Sequence, residues 1–314
     1  MSEIKVIDFM KLRTPTTVFS VLLILVAVGS LVFNGMKFGM DFTGGTQLQV
    51  SYSVPQDLEE IRGIVSNAGY QNFEVINFRT EQDVQIRIQE TADENADLTE
   101  AAQATNIVLA ALRANTDAEI EVLGTGFIGS QVGEELREQG GLGMLVALIM
   151  IMIYISLRFQ FKFAVGAVAA LAHDVIITLG FFSLFQIDFD LTVMAAVLAV
   201  IGYSLNDTIV VSDRIRENFR ILRKSDPTEL VNISITQTFS RTIITSLTTL
   251  LVLISLSLFG GEMIHGFSTA LIVGVVIGTY SSIYVSSELL LYLQLSKEDL
   301  MPPVNESEEA DALP

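Results

Sequence analysis

Hydrophobic residues in this chain gather into long runs, six of which are long enough to cross a membrane. The runs lie roughly at 16–34, 141–157, 163–185, 191–212, 242–259 and 266–295. A bilayer core of about 30 Å needs about 20 apolar residues of helix, so the pattern predicts a polytopic membrane protein. The first run has a basic flank like a secretory signal, but it is longer than the apolar part of one and lacks a small-x-small cleavage site. We therefore expect it to remain as an uncleaved helix.

The basic residues of the short loops predict how the spans are oriented. They are Lys5, Lys11, Arg13, Arg158, Lys162, Arg214, Arg216, Arg220, Arg223 and Lys224. The loops 186–190 and 260–265 contain no lysine or arginine. Because basic loops stay on the cytoplasmic side, we expect the N-terminus (1–15), the loop 213–241 and the tail (296–314) to be cytoplasmic. The long segment 35–140 is then extracytoplasmic.

The polar stretch between the first two spans alternates between strand and helix patterns. A strand over about 46–53 is followed by the amphipathic helix "PQDLEEIRGIVSNAG", the alternating pair "NFEVINFRT" and "DVQIRIQE", the helix "LTEAAQATNIVLAALRANT" and the strand "AEIEVLG". The order β-α-β-β-α-β is that of a ferredoxin-like α+β unit. After it, "GSQVGEELREQGG" predicts a separate amphipathic helix at the membrane surface.

Composition excludes several classes of function. The 314 residues carry a formal net charge of −18 and no cysteine. The acidic balance argues against nucleic acid as a partner, and disulfides and thiolate metal sites are excluded. The two histidines, His173 and His265, lie on different spans, so we expect no metal site or cofactor. In the loop 213–241, "DRIRENFRILRKS" predicts a basic helix along the cytoplasmic face, and the tail from Lys297 is typical of disorder.

Four ionisable residues and one asparagine inside three of the spans are the candidate functional groups. They are His173 and Asp174 in the third span, Asn206 and Asp207 in the fourth, and Arg241 at the start of the fifth. Such groups are rare in membranes and usually face a bundle interior or water. Asp207 is the leading candidate for a carboxylate that exchanges a proton, with Arg241 beside it. Two simpler interpretations stay open: Arg241 extends to the membrane interface, and Asp207 is only a structural hydrogen-bond partner. As neighbours on one helix, His173 and Asp174 are expected to point in different directions.

Small residues recur at four-residue spacing on two spans. The third span carries Gly166, Ala170, Asp174 and Thr178, and the sixth carries Gly266, Ala270, Gly274, Gly278, Ser282 and Ser286. This spacing predicts close helix packing, with the hydroxyls of Thr279, Ser281 and Ser282 along a polar track. In "DFTGGT", Gly44 and Gly45 predict a turn or hinge that needs positive φ or close backbone approach.

Several motifs in one order resemble the SecF family of bacterial protein-export subunits. They are "FGMDFTGGT" after the first span, "AHDV" in the third, "GYSLNDTIVVSDRIREN" in the fourth, "SRTIITS" in the fifth, and "FGG" and "GVVIGTYSSIYVSS" around the sixth. The resemblance implies one six-helix half of a resistance-nodulation-division (RND) architecture in the bacterial inner membrane, with SecD supplying the other half. It further implies a non-enzymatic role that uses the proton-motive force to assist late steps of preprotein translocation.

The resemblance also implies partners and roles for particular residues. The partners would be SecD, the SecYEG translocon, an unfolded preprotein and protons, with YajC as an additional candidate. By motif, Asp207 and Arg241 match the functionally important intramembrane Asp and Arg of the family, and Asp174 belongs to its "HD" pair.

Three competing functions are compatible with parts of the pattern. Asp174 and Asp207 on successive spans suggest an intramembrane aspartyl protease, in which two carboxylates share a proton. That class places its second Asp after Gly-x-Gly, whereas this chain has Ser204-Leu205-Asn206 before Asp207. The second competing function is a half-transporter for lipids or small molecules, and the third is that of a purely structural subunit.

Overall fold

The computed structural model describes residues 6–89, 98–158, 160–222 and 226–295. In chain order the elements are a short 3-10 helix at Phe9–Leu12, α1 (Arg13–Phe33), α2 (Met40–Thr43), β1 (Gly45–Tyr52), α3 (Leu58–Asn67), β2 (Phe73–Asn77), β3 (Asp83–Ile88), α4 (Leu98–Ala114), β4 (Ile120–Ile128), α5 (Ser130–Arg158), α6 (Phe161–Phe185), α7 (Leu191–Ile221), α8 (Pro227–Phe259), α9 (Glu262–Ile283) and α10 (Val285–Tyr292). We call the strands with α3 and α4 the sheet domain, and the remaining long helices the bundle.

Six helices of the bundle are long and apolar enough to cross a membrane, as the hydropathy pattern predicts. About half of the most apolar stretch of α6 and of α7 is buried within the chain, whereas very little of that of α5 is. The first membrane-length helix and α8 also bury only a small share of theirs. The centre of the bundle is therefore formed by α6, α7 and α9, and its other helices leave apolar faces uncovered.

The sheet domain has the predicted ferredoxin-like arrangement. Its four strands are antiparallel in the order β2-β3-β1-β4. Alternate residues of the central strands, including Leu48, Val50 and Ile86, are fully buried together with Val108 and Leu112 of α4. Because side chains alternate across a strand, this apolar layer lies on one face and leaves polar residues on the other.

Two predicted surface helices are parts of longer helices instead. The prediction of a separate amphipathic helix before the second span is wrong, because α5 runs unbroken from Ser130 to Arg158. No proline interrupts this segment, and its glycines lower helix stability without breaking the helix. The basic helix expected along the membrane face is the end of α7, which continues to Ile221. The tail 296–314, predicted to be disordered, lies outside the described residues.

Small residues of α9 let it approach α7 closely. A Cβ added at Gly274 would lie 2.1 Å from Cγ2 of Val200, and one at Gly278 would lie 3.1 Å from Cβ of Ser204. At Gly266 the nearest atom, Cγ2 of Val193, would be 3.0 Å away. The stripe of small residues predicted on the sixth span thus packs against a helix of the same chain.

The segment before the sheet domain is tied to the loop between α6 and α7. Phe38 and Phe189 form an isolated parallel bridge, in which the Phe189 N–H donates to the Lys37 carbonyl (2.8 Å) and the Gly39 N–H donates to the Phe189 carbonyl (2.9 Å). The ring of Phe42 stacks on that of Phe189 at 6.0 Å. The sheet domain is therefore connected to the bundle by backbone hydrogen bonds as well as by the chain itself.

Gly44 and Gly45 occupy the turn between this tie and β1. Their φ values are 76° and 141°, where residues with a side chain are strained. A Cβ on Gly45 would lie 2.4 Å from the carbonyl oxygen of Ile88 in β3. The pair thus has the positive φ and close backbone approach that the turn interpretation requires, and its role as a hinge stays a prediction.

The contact between α9 and α7 predicts the effect of enlarging Gly274. We expect Gly274→Ala to lower the free energy of unfolding in detergent by about 1–3 kcal/mol, because the new methyl group collides with Val200. Thermal unfolding followed by circular dichroism measures the change. Gly202→Ala on α7 is the matched control, since nothing lies within 4 Å of its added Cβ. Equal effects of the two substitutions would contradict this packing.

Candidate functional site

Asp174 is a fully buried carboxylate that three helices surround. Its Oδ2 accepts hydrogen bonds from the hydroxyls of Ser204 on α7 (2.5 Å) and Ser281 on α9 (2.7 Å). A Cβ on Gly278 would meet Cβ of Ser204 at 3.1 Å, so the glycine lets α9 approach the donor on α7 closely. Buried polar groups need such partners, and here each comes from a different helix.

His173 is bonded to Asp174, contrary to the expectation that the two side chains diverge. Its Nδ1 lies 2.9 Å from Oδ1 of Asp174, and both residues are buried. The ring of Tyr280 lies 6.2 Å from the imidazole ring. Nε2 of His173 is buried and has no hydrogen-bond partner within the described residues. The "HD" pair therefore acts as one polar unit at the junction of α6 and α9.

Asp207 is the second buried carboxylate, with 5% of its surface exposed. It follows Ser204 by three residues on α7 and so lies on the same side of the helix. Thr242 of α8 donates to its Oδ1 at 3.1 Å, whereas its Oδ2 is buried and has no partner of good geometry in the described part of the chain. Arg241 and Ser282 are close enough to interact with the carboxylate. Asp207 is thus much less saturated with hydrogen bonds than Asp174.

Hydroxyl groups continue from Asp207 between α7, α8 and α9. Tyr203 donates to Ser246 at 3.3 Å, and Ser246 lies 2.7 Å from the Thr279 hydroxyl. Ser282 donates to the Thr279 carbonyl at 3.0 Å. Of the three hydroxyls predicted to line a polar track, Thr279 meets Ser246 of α8, Ser281 bonds to Asp174, and Ser282 bonds to the backbone of its own helix. A continuous track stays a prediction.

An open cavity of about 390 Å³ lies between α7 and α8, and Asp207 is not part of its lining. Its charged and polar lining consists of Arg158, Asp213, Arg214, Glu217, Gln237, Thr238 and Arg241. Thr238 precedes Thr242, the partner of Asp207, by one helical turn. The cavity thus brings water-accessible, charged groups to within about one turn of the buried carboxylate.

The structure does not bring every predicted site residue together. Asp207, Arg241 and Ser282 form one group, and Asp174 and His173 form another around Ser204 and Ser281. Asn206 is exposed and makes no hydrogen bond to either group among the described residues. The two carboxylates have separate hydrogen-bond partners, an arrangement unlike the shared proton of an aspartyl protease.

Glu288 of α10 is a buried acid that the sequence analysis did not single out. It is 5% exposed and accepts hydrogen bonds from Thr17 (2.6 Å) and from Thr16, both near the start of α1. A lone acid within the apolar stretch around 288 is the signal that would have found it. Its partners connect α10 to α1.

Comparison with known protein families identifies the family to which this chain belongs. The model of "Protein export membrane protein SecD/SecF, C-terminal" matches residues 108–296, and that of the "SecD/SecF GG Motif" matches residues 29–56. The first match alone covers more than half of the chain and includes Asp174, Asp207 and Glu288. The chain belongs to the SecD/SecF family.

Full-length relatives narrow this to SecF. The chain is 48% identical to the protein translocase subunit SecF of Vibrio alginolyticus, over 98% of this chain and 96% of that protein. It is 48% identical to SecF of Pseudomonas aeruginosa, over 96% of each chain, and 42% identical to SecF of Escherichia coli O157:H7, over 98% and 94%. These relatives are named as translocase subunits, which is a transport role.

Solved structures of SecDF have the same fold. The crystal structure of SecDF from Thermus thermophilus, described as a translocon-associated membrane protein, has a TM-score of 0.78 and 36% identity. SecDF in a super-membrane-facing form has a TM-score of 0.69 and 34% identity. This chain is covered to 94% and 98%, respectively, but it spans 40% of each SecDF chain.

The hydrogen bonds around Asp174 predict how strongly its donors stabilise the bundle. We expect Ser204→Ala to lower the free energy of unfolding by about 1–3 kcal/mol, because a buried carboxylate loses a donor. Denaturation in detergent measures the change. Ser255→Ala on α8 is the control, since that exposed hydroxyl bonds only to the Leu251 carbonyl of its own helix.

A double-mutant cycle tests whether the donor acts on Asp174. In an Asp174→Asn background, Ser204→Ala is expected to cost less than in the parent chain, since the charged acceptor is gone. An unchanged cost would mean that Ser204 stabilises the bundle in another way.

Proposed function

We propose that this chain is the SecF half of a SecD–SecF complex in the bacterial inner membrane. In this proposal it uses the proton-motive force, through Asp207, to assist late steps of preprotein translocation through SecYEG. Both termini face the cytoplasm, and the sheet domain lies outside, where it would act on the emerging preprotein. The family membership and the positive-inside pattern of the loops support this placement.

The geometry of Asp207 is the observation that carries the proposal. A carboxylate with one donor and one bare oxygen is poorly compensated for its lost hydration when it is ionised. The positive charge of Arg241 acts on the carboxylate, and Arg241 itself is exposed and lines the charged, open cavity between α7 and α8. Uptake of a proton would remove the charge and change how Asp207 interacts with Thr242 and Arg241. Asp174, with three partners, is better suited to hold α6, α7 and α9 together.

The helix that carries Asp207 begins next to the segment that leads into the sheet domain. Asp190 caps the start of α7 by accepting from the Val193 N–H at 2.8 Å. The preceding residue, Phe189, forms the backbone tie to the segment that leads into β1. A shift of α7 on protonation would therefore act directly on the connection to the sheet domain.

The energy available from the membrane potential is sufficient for such a shift. One elementary charge crossing the field is worth about 2.3 kcal/mol per 100 mV. Alternative conformations of a protein commonly differ by a few kcal/mol. A single proton per cycle can thus change which conformation is favoured.

A partner for the uncovered helix faces is expected from the size of SecDF. The chain corresponds to 40% of that protein, and apolar faces of α5 and α8 are left exposed. SecD is the partner that we propose for part of this surface, with YajC as an additional component and lipid covering the remainder.

The decisive prediction concerns Asp207→Asn, which keeps the shape of the side chain and removes its charge. We expect it to abolish the part of preprotein export that depends on the proton-motive force. The measurement is the export of a preprotein into inverted membrane vesicles with and without an imposed proton gradient. Co-purification of the variant with SecD should stay unchanged. Glu229→Gln is the control, because this carboxylate is exposed at the start of α8. Export by Asp207→Asn that depends on the gradient as in the parent chain would contradict the proposal.

The partner assignment has its own test. We expect SecD to be recovered in roughly equal amount when the tagged chain is purified from native membranes in mild detergent. Mass spectrometry of the bound chains measures this. A chain that purifies alone, while its own fold is intact by circular dichroism, would speak against a SecD–SecF complex.

A further inference from the structure

Charged side chains from both parts of the molecule meet in a cavity of about 300 Å³ at their junction. The sheet domain contributes Glu74 from β2 and Arg87 from β3. The bundle side contributes Lys37 after α1, Asp188 from the loop between α6 and α7, and His265 from the start of α9. The function proposed through Asp207 does not use this group.

The strand pairing explains how Glu74 reaches the bundle. Glu74 and Arg87 are directly opposite in the β2–β3 ladder, and their side chains form an ion pair at 3.3 Å. Val75, the next residue on β2, is buried in the core on the other face of the sheet. Because side chains alternate, Glu74 must point away from that core, toward Asp188.

The bundle side holds a second ion pair. Nζ of Lys37 lies 2.5 Å from Oδ1 of Asp188. Glu74 and Asp188 line the same cavity, and their carboxylates interact with each other. Two acids, one from each part of the molecule, thus meet at the junction, and each is paired with a cation of its own part.

We propose that Glu74 and Asp188 form a proton-sensitive contact that holds the sheet domain on the bundle in acid and loosens as the pH rises. When Glu74 is protonated, its hydroxyl can donate to Asp188 across the junction. When it is ionised, its charge is poorly hydrated at the partly buried junction and also faces the Asp188 carboxylate, while Arg87 and Lys37 act in the opposite direction.

The direction of the effect follows from the environment of Glu74. Burial raises its pKa above the ordinary value, repulsion by Asp188 raises it further, and Arg87 and Lys37 lower it in part. A group whose pKa is raised by docking stabilises the docked state below its ordinary pKa. That stabilisation is lost as the pH rises through the raised value. Acid therefore favours docking.

The other charged groups at the junction do not reverse this direction. Asp190 is occupied as the cap of α7, where it accepts from the Val193 N–H and the Thr192 hydroxyl. His265 lies on the bundle side of the junction, as Asp188 does, so an interaction between these two side chains would act within the bundle and not across the junction. With the sheet domain outside the membrane, the contact would face the acidic side of the proton gradient.

The absence of cysteine from the sequence allows the contact to be measured with two spin labels. We would place them at Glu81→Cys in the sheet domain and Leu184→Cys at the end of α6, both exposed positions. The chain is reconstituted with SecD in lipid nanodiscs, and the distance between labels is measured at steps between about pH 5 and pH 8. We expect a narrow distribution in acid and a broader or longer one as the pH rises.

Charge-neutral variants identify the responsible group. Glu74→Gln should keep the narrow distance distribution throughout the pH range and so lose the pH dependence. Asp188→Asn is an independent second variant, in which the pH dependence should be weaker than in the parent. Glu60→Gln on the exposed side of α3 should behave like the parent. A parent distance that does not change with pH would overturn the proposal. A pH dependence that persists in Glu74→Gln, or that disappears only in His265→Gln, would do the same.

This contact can fail or succeed separately from proton use at Asp207. If the contact is correct, Asp207→Asn retains the pH-dependent distance, whatever its effect on export. If only the function proposed through Asp207 is wrong, the distance measurement still changes with Glu74→Gln.

Discussion

The bundle depends on the need to supply hydrogen-bond donors to a carboxylate that has no access to water. Asp174 obtains its donors from α6, α7 and α9, so these helices must lie close enough for short side chains to meet. Gly274 and Gly278 make that approach possible, since a methyl group at either position would meet α7. The stripe of small residues and the buried acid are therefore two parts of one arrangement, in which close packing and polar satisfaction require each other.

Asp174 and Asp207 differ in how completely they are hydrogen-bonded. Asp174 has a full set of partners and fixes the centre of the bundle. Asp207 lies on α7 and has a single donor, and a charged cavity lies between α7 and α8 nearby. In the function that we propose, one acid stabilises the fold while the other changes its charge, so the two tasks lie on separate groups. The junction between the sheet domain and the bundle has a similar division, since the backbone tie at Phe189 uses no titratable side chain, whereas the proposed Glu74–Asp188 contact does.

The sequence was sufficient for what depends on pattern and insufficient for what depends on neighbours in space. Hydropathy predicted the six spans, alternation predicted the ferredoxin-like sheet, and the rarity of charges in membranes pointed to Asp174 and Asp207. The donors Ser204 and Thr242 were not predicted, because serine and threonine are common in spans and only helix packing decides which of them meet an acid. Asn206 was grouped with Asp207 because they are adjacent, but a rotation of about 100° per residue turns it away from the interior. The bond between His173 and Asp174 was missed for the same geometrical reason, because the side chains bend toward each other despite that rotation.

The unbroken course of α7 has a mechanical consequence. Its 31 residues run without a proline from the cap at Asp190 to Ile221. At 1.5 Å per residue this makes a stiff rod of ~46 Å, so a tilt of about 5° about one end would carry the other end through ~4 Å. Asp207 lies part-way along this rod and Phe189 just beyond one end. A small rearrangement around the Asp207 side chain that tilts α7 would thus displace the far end of the helix by enough to move a folded domain.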